Sequence, residues 1–282
     1  MQAHPDHDVY YVPPPSIWPL VGSIALLSLA SGFAMLLHKI TAGPYLMALG
    51  TGILLVMLFG WFGTVIKESL AGKYAKQVDT SFRWGMVWFI FSEVMFFAGF
   101  FGALFYARNL AVPMLADAQL LWPGFTAAWP SAGPSASTIL TPVNAWGIPA
   151  LNTLILLSSG ATVTWAHWGL KKNNRTQLNI GMFLTIALGC LFLFLQAYEY
   201  HHAYTEMGLT LGAGAYGATF FMLTGFHGFH VMLGTVMLIV IFLRSLAGHF
   251  TPGRHFAFEA VAWYWHFVDV IWLLLFVFVY WL

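Results

Sequence analysis

The sequence predicts an all-α polytopic membrane protein with seven transmembrane helices. Three observations carry the prediction. Of 282 residues, 60% are hydrophobic and only 7% charged, against roughly 25% charged in a soluble domain, so lipid must be the solvent for most of the surface. Seven segments reach the ~20 apolar residues that a helix needs to cross a ~30 Å hydrocarbon core. These runs are continuously apolar and lack the alternation of a membrane β-barrel, which leaves helix as the form that satisfies the backbone in lipid.

The chain opens on a polar, Pro-rich stretch (MQAHPDHDVYYVPPPS, residues 1–16) without Lys or Arg. No basic leader or cleavage site of a signal peptide is evident, so the first helix is expected to be retained. Helices are expected at Ile17–His38, Pro44–Ile66, Trp84–Tyr106, Trp146–Trp168, Leu178–Tyr200, Tyr216–Leu243 and Phe258–Trp281. This gives three parts: the N-terminal segment 1–16, helices one and two within 17–66, and helices three to seven within 84–282. The longest connection, 108–145, is rich in Pro, Ala, Ser and Trp, and its Trp122 and Trp129 suit a membrane interface or a subunit contact.

Basic residues set the orientation. With the N-terminus in the cytoplasm, the inner connections carry Lys67, Lys73, Lys76, Arg83, Lys171, Lys172, Arg175, Arg244 and Arg254, and the outer ones only Lys39 and Arg108. Nine against two places the C-terminus and the 108–145 connection outside. The net charge of +1 argues against a nucleic-acid partner. Cys190 stands alone in an apolar run; it offers neither a disulfide nor a two-thiolate metal site and reads as a small hydrophobe.

Polar residues inside lipid are costly and mark the bundle interior. Glu93 lies among aromatic residues (FIFSEVMFFAGFF), ten positions beyond Arg83, which is ~15 Å deep at 1.5 Å per residue. Such a carboxyl is either protonated or hydrogen-bonded, and so serves proton handling or a tie between helices. His227 and His230, three apart in TGFHGFHV, share a helix face, and Gly225 and Gly228 beside them are suited to close helix approach. Glu259, His266 and Asp269 fall within one ~80° sector of the seventh helix, directed at other helices. Gln196 and Glu199 share a face near the outer end of the fifth. His227 or His230 with His266 or His167 would in principle serve a bis-histidine haem, although hydrogen-bonded structural histidines are the commoner outcome.

Four segments taken together resemble one family. RWGMVWFIFSEVMFF (Arg83–Phe97), PALNTLILLSSGATVTWAH (Pro149–His167), YGATFFMLTGFHGFHV (Tyr216–Val231) and FEAVAWYWHFVDVIWLLLFVFVYW (Phe258–Trp281) are similar, in order and spacing, to subunit III of haem–copper oxidases of the cytochrome c oxidase type. The likeness runs from about Trp18 onward, and the first two helices are present, unlike in the five-helix quinol oxidase form. It implies an accessory, cofactor-free subunit of an aerobic complex that moves electrons from cytochrome c to O2 and pumps protons, with haem and copper held in subunits I and II. It implies direct packing on subunit I, support of proton uptake and stability, and bound phospholipids in a V-shaped cleft where helices one and two splay from the other five. Glu93 matches the family's buried carboxyl and His230 the second histidine of its sixth-helix motif, while His227, His266 and Asp269 complete the buried polar set. Arg83 and Arg244 match positions that hold lipid phosphates, and Trp61 a tryptophan beside the cleft. WFGTVIKES (Trp61–Ser69) departs from the family's common WWRDVIRES, so Phe62, Gly63 and Thr64 carry no role over.

With no metal site and no catalytic residue expected in this chain, the reading is a non-catalytic subunit in a bacterial plasma membrane. A mitochondrially encoded protein would equally lack a transit peptide. A transporter with Glu93, His266 and Asp269 as proton relay is the rival reading, but no internal repeat or paired Gly/Pro break supports it. A membrane haem protein acting alone is the third.

Overall fold

In a computed structural model, which describes residues 10–134 and 140–282, seven helices are long and apolar enough to cross a bilayer. They are α1 (Trp18–Leu37), α2 (Gly43–Leu70), α3 (Lys76–Asp117), α4 (Ile148–Lys171), α5 (Arg175–Thr205), α6 (Gly214–Leu246) and α7 (Phe256–Trp281). Residues 1–9 of the expected N-terminal segment and 135–139 of the expected outer connection lie outside the described residues.

Most helices outrun the apolar windows that mark them, because helical hydrogen bonding continues past the hydrocarbon edge into polar sequence. The largest difference is in α3. It begins at Lys76 rather than Trp84 and continues to Asp117, so the expected connection 108–145 opens as helix. Pro113 reads as a stop in the sequence, since it lacks an N–H and its ring crowds the carbonyl four residues back. A π-helical turn over Ala107–Ala111 sits where that carbonyl would be, and a short helix, Val112–Asp117, follows with Pro113 in its first turn. Between α4 and α5 the KKNNR turn is tight. Asn173 takes a left-handed conformation at φ 54°, which Asn tolerates better than most residues, and the Asn174 side chain caps α5 by accepting from Gln177 N–H at 3.1 Å.

The described residues fall into two compact units, one ending at Trp84 and one comprising Gly85–Leu282. In the first, α1 and α2 form an antiparallel hairpin whose backbones touch at glycines. A Cβ on Gly43 would lie 2.7 Å from Leu36 N, and one on Gly50 2.9 Å from Leu29 N, the small-residue approach that holds helices together in lipid. At one end of this unit Glu68 accepts from Tyr11 Oη at 3.0 Å and Tyr74 Oη at 2.8 Å. Burial, and then that carboxylate, push the Tyr74 phenol well above its ordinary range.

In the second unit α4, α5, α6 and α7 pack around a core that includes Trp265 and Trp272, both fully buried. Each indole needs a partner for its N–H, and each finds one on α4: Trp265 donates to Ser159 Oγ at 2.8 Å, and Trp272 to Thr153 Oγ1 at 2.9 Å. Gly189 lies beneath Trp265 and Gly181 against Ala166. The close approaches expected at Gly225 and Gly228 are not made among the described residues: a Cβ on Gly228 would meet nothing within 4 Å, and one on Gly225 only Tyr200 Oη at 3.5 Å. Outward faces are apolar, with Phe194 68% and Phe183 62% exposed, as lipid or a partner helix requires.

Candidate functional site

Residue 93 falls on the face of α3 that meets α6, and the structure brings Glu93 and His230 together. His230 Nε2 lies 2.8 Å from Glu93 Oε2, with the imidazole 9% and the carboxyl 22% exposed. The other ring nitrogen, Nδ1, is 2.6 Å from Phe226 O. A carbonyl only accepts, so Nδ1 carries a hydrogen. The proton between Nε2 and Glu93 is therefore shared: either a neutral carboxyl donates to a neutral imidazole, or an imidazolium donates to a carboxylate. Rings enclose the bond, Phe97 edge-on to His230 at 5.0 Å and Tyr264 stacked at 6.4 Å. With a direct hydrogen bond, neither group is left bare in a low-dielectric site.

His227 does something else. It is buried, and its Nε2 donates to Val268 O at 3.1 Å, tying α6 to the backbone of α7. Nε2 of each α6 histidine is thus engaged by a protein group, while His227 Nδ1 is buried with no hydrogen-bond partner.

The Glu259, His266 and Asp269 stripe faces α4. Asp269 is buried beside Gly160, where any Cβ would overlap its carboxylate. Thr164 gives its hydroxyl hydrogen to Gly160 O at 2.9 Å, so His266 Nε2–H donates to Thr164 Oγ1 at 3.2 Å. His266 corrects the sequence reading, which grouped it with the buried residues: its side chain is 45% exposed and stands 3.7 Å from Asp269, beyond a hydrogen bond. It lines an open pocket with Leu157, Thr164 and Leu273. The helical sector was legible; that α4 at Gly160 is too thin to cover the ring was not.

Near the other end of α5, Gln196 and Glu199 are buried. Tyr280, missed in the sequence reading, donates to Glu199 Oε1 at 2.6 Å, and Gln196 Nε2 donates to the same oxygen at 3.3 Å. A second omission is His255. It lies four residues before Glu259 and next to the His167 ring, at 5.3 Å between centroids; the i,i+4 spacing of His255 and Glu259 was the available signal. Of the residues matched to lipid positions, Trp61 on α2 is 42% exposed. Arg83 pairs with Asp79 at 2.8 Å, and the Arg244 guanidinium lies 4.7 Å over the Phe250 ring.

The sequence pattern of the family described as "Cytochrome c oxidase subunit III" matches residues 7–282. The chain is 43% identical over 281 residues to "Cytochrome c oxidase subunit 3" of Hippopotamus amphibius, covering 99% of this chain and 98% of that protein. It is 44% identical over 281 residues to the protein of the same description from Marchantia polymorpha, with 99% and 97% covered. With that of Felis catus it is 43% identical over 280 residues, with 99% and 98% covered.

Proposed function

The chain belongs to the cytochrome c oxidase subunit III family, and on that premise we propose that this multi-pass subunit of a respiratory oxidase is its accessory, non-catalytic part. It packs directly on subunit I, with subunit II in the same complex and cytochrome c as electron donor. Haem and copper belong to those partners. The chain steadies the catalytic core, supports its proton uptake and holds phospholipids, with Arg83 and Arg244 on lipid phosphates and Trp61 on acyl chains. Guanidinium suits this task because it bonds a phosphate in two places.

The observation that carries the non-catalytic reading is how the polar groups are used. His227 donates to a carbonyl of α7 and His230 shares its proton with Glu93, so these groups tie helices to one another. The Glu93–His230 link is itself able to hold a proton in either of two places, which suits a group supporting proton uptake next door. Nine inward basic residues against two support a cytoplasmic N-terminal segment 1–16 and a C-terminus on the opposite side.

Affinity purification through a tag on this chain tests the reading. The expected eluate contains two partners that between them bear haem and copper, and it reduces O2 with electrons from reduced cytochrome c. A partner-free chain that moves a solute or protons in liposomes would replace this reading with the transporter one.

A further inference from the structure

At the end of the second unit that carries Lys171, Lys172 and Arg254, three metal-ligating side chains from separate positions converge. His167 comes from the last turns of α4, His255 from the residue before α7, and Glu259 from the first turn of α7. One ligand atom from each, nitrogen or carboxylate oxygen, lies within 4.8 Å of the other two. His167 Nε2 is 3.4 Å and His255 Nε2 3.2 Å from Glu259 Oε1. The three side chains are 18%, 9% and 11% exposed, well sheltered for groups at a helix end.

The hydrogen-bond roles are what point to a cation. His255 Nδ1 is 3.1 Å from Thr251 O; the carbonyl accepts, so Nδ1 carries a hydrogen, and in its neutral form the ring presents a bare lone pair at Nε2. That lone pair faces a carboxylate oxygen, and neither His255 Nε2 nor His167 Nε2 has a hydrogen-bond partner. A positive centre between them relieves the repulsion, and three donors converging on one place fit a metal ion better than separate protons. The arrangement of His255, with its far nitrogen fixed by a backbone carbonyl, is the one in which metal-bound histidines are usually held.

Distances and donor types select the ion. Zinc bonds imidazole nitrogen at about 2.0–2.1 Å and carboxylate oxygen at about 2.0–2.2 Å in tetrahedral geometry, which sets ligand-to-ligand edges of about 3.3–3.5 Å by the tetrahedral ratio. The two His–Glu edges, 3.4 and 3.2 Å, approach this, and the edge between the imidazoles is within 4.8 Å. Two imidazoles and one carboxylate are a zinc donor set, softer than magnesium or calcium prefers. We propose that His167, His255 and Glu259 form a three-ligand zinc site that clips the end of α4 to the start of α7, with water in the fourth position. This departs from the expectation that the chain holds no metal, and it concerns no redox centre.

The test uses the intact oxidase complex, purified without chelator, and its Glu259→Gln and His255→Phe variants. Zinc per complex is measured by mass spectrometry of the elements, alongside the ratio of this chain to haem. The expected result is one zinc fewer per complex in each variant at unchanged chain-to-haem ratio. In zinc titrations after chelator treatment, the variants should bind at this position at least ~100-fold more weakly, since loss of a ligand exceeds the 10–100-fold cost of losing only a supporting partner. If a variant fails to assemble, X-ray anomalous scattering at the zinc edge on the unsubstituted complex decides instead, with a peak expected among the three side chains. Equal zinc in all three complexes, or no anomalous peak there, overturns the proposal and leaves a proton-linked cluster.

Discussion

Replacing Glu93 by alanine removes one end of a 2.8 Å bond between α3 and α6. His230 keeps its Nδ1–H bond to Phe226 O and loses its partner at Nε2, among rings that offer no substitute. A stranded polar group costs about 1–3 kcal/mol. The part that belongs to the pair is smaller: interhelical hydrogen bonds in a membrane protein average ~0.6 kcal/mol of coupling, with ~1.7 kcal/mol the largest measured. With the imidazole 9% exposed and the carboxyl 22%, little water reaches the bond, and the expected coupling is about 1 kcal/mol. Glu93→Gln should lose far less, because the amide N–H₂ donates to His230 Nε2 in the same place. A double-mutant cycle over Glu93→Ala and His230→Ala, with Glu93→Gln beside it, measures this by reversible unfolding in mixed micelles. Retention of the chain on the complex after heating should rank the variants alike, and Glu93→Gln should leave initial O2 reduction largely intact. Additive single losses, or a glutamine variant as damaged as the alanine one, would refute the tie. Abolished O2 reduction in Glu93→Gln would instead make the carboxyl directly catalytic.

Three further outcomes follow from the same structure. After Cys190 is replaced, a membrane-impermeant thiol reagent added from outside should label Asp117→Cys and spare Lys73→Cys; the reverse pattern would invert the topology. Native mass spectrometry of the Arg83→Ala, Arg244→Ala complex should show fewer retained phospholipids, whereas unchanged retention would make both arginines ordinary inner-face anchors. Gly181→Ala puts a methyl 2.8 Å from Ala166 Cβ and 3.0 Å from Thr162 O; overpacking of this kind costs about 1–3 kcal/mol, so the unfolding midpoint should fall, while Gly228→Ala, with nothing within 4 Å, should leave the isolated chain's midpoint unchanged.

Hydropathy made the seven spans legible because lipid removes the alternatives to helix, and no tertiary knowledge was needed to find them. The ends were less legible. Pro113 signals a stop, and only the π-helical turn before it explains why α3 continues. Single helical faces could be read as well: Glu259, His266 and Asp269 do point at one neighbour. Partners could not, since pairing depends on which residues of another helix lie at the same depth. Thr164 and Gly160 decide the fates of His266 and Asp269, and neither residue has chemistry that draws notice in a sequence. His255 escaped because it precedes the apolar run, and Tyr280 because a tyrosine at a helix end reads as an interfacial anchor. The resemblance to a family supplied His230 as the match to Glu93's partner; periodicity and depth alone left His266 equally feasible.

On the proposed function, this chain sits in the oxidase without carrying its redox chemistry. This is tested most directly by stripping the chain from the purified complex with detergent and recording absorption spectra and copper content of both fractions. The expected result is a colourless, copper-free chain, and a remainder that keeps its haem bands and still reduces O2 in the first turnovers. Haem bands or stoichiometric copper travelling with this chain would place a redox centre in it and overturn the accessory role.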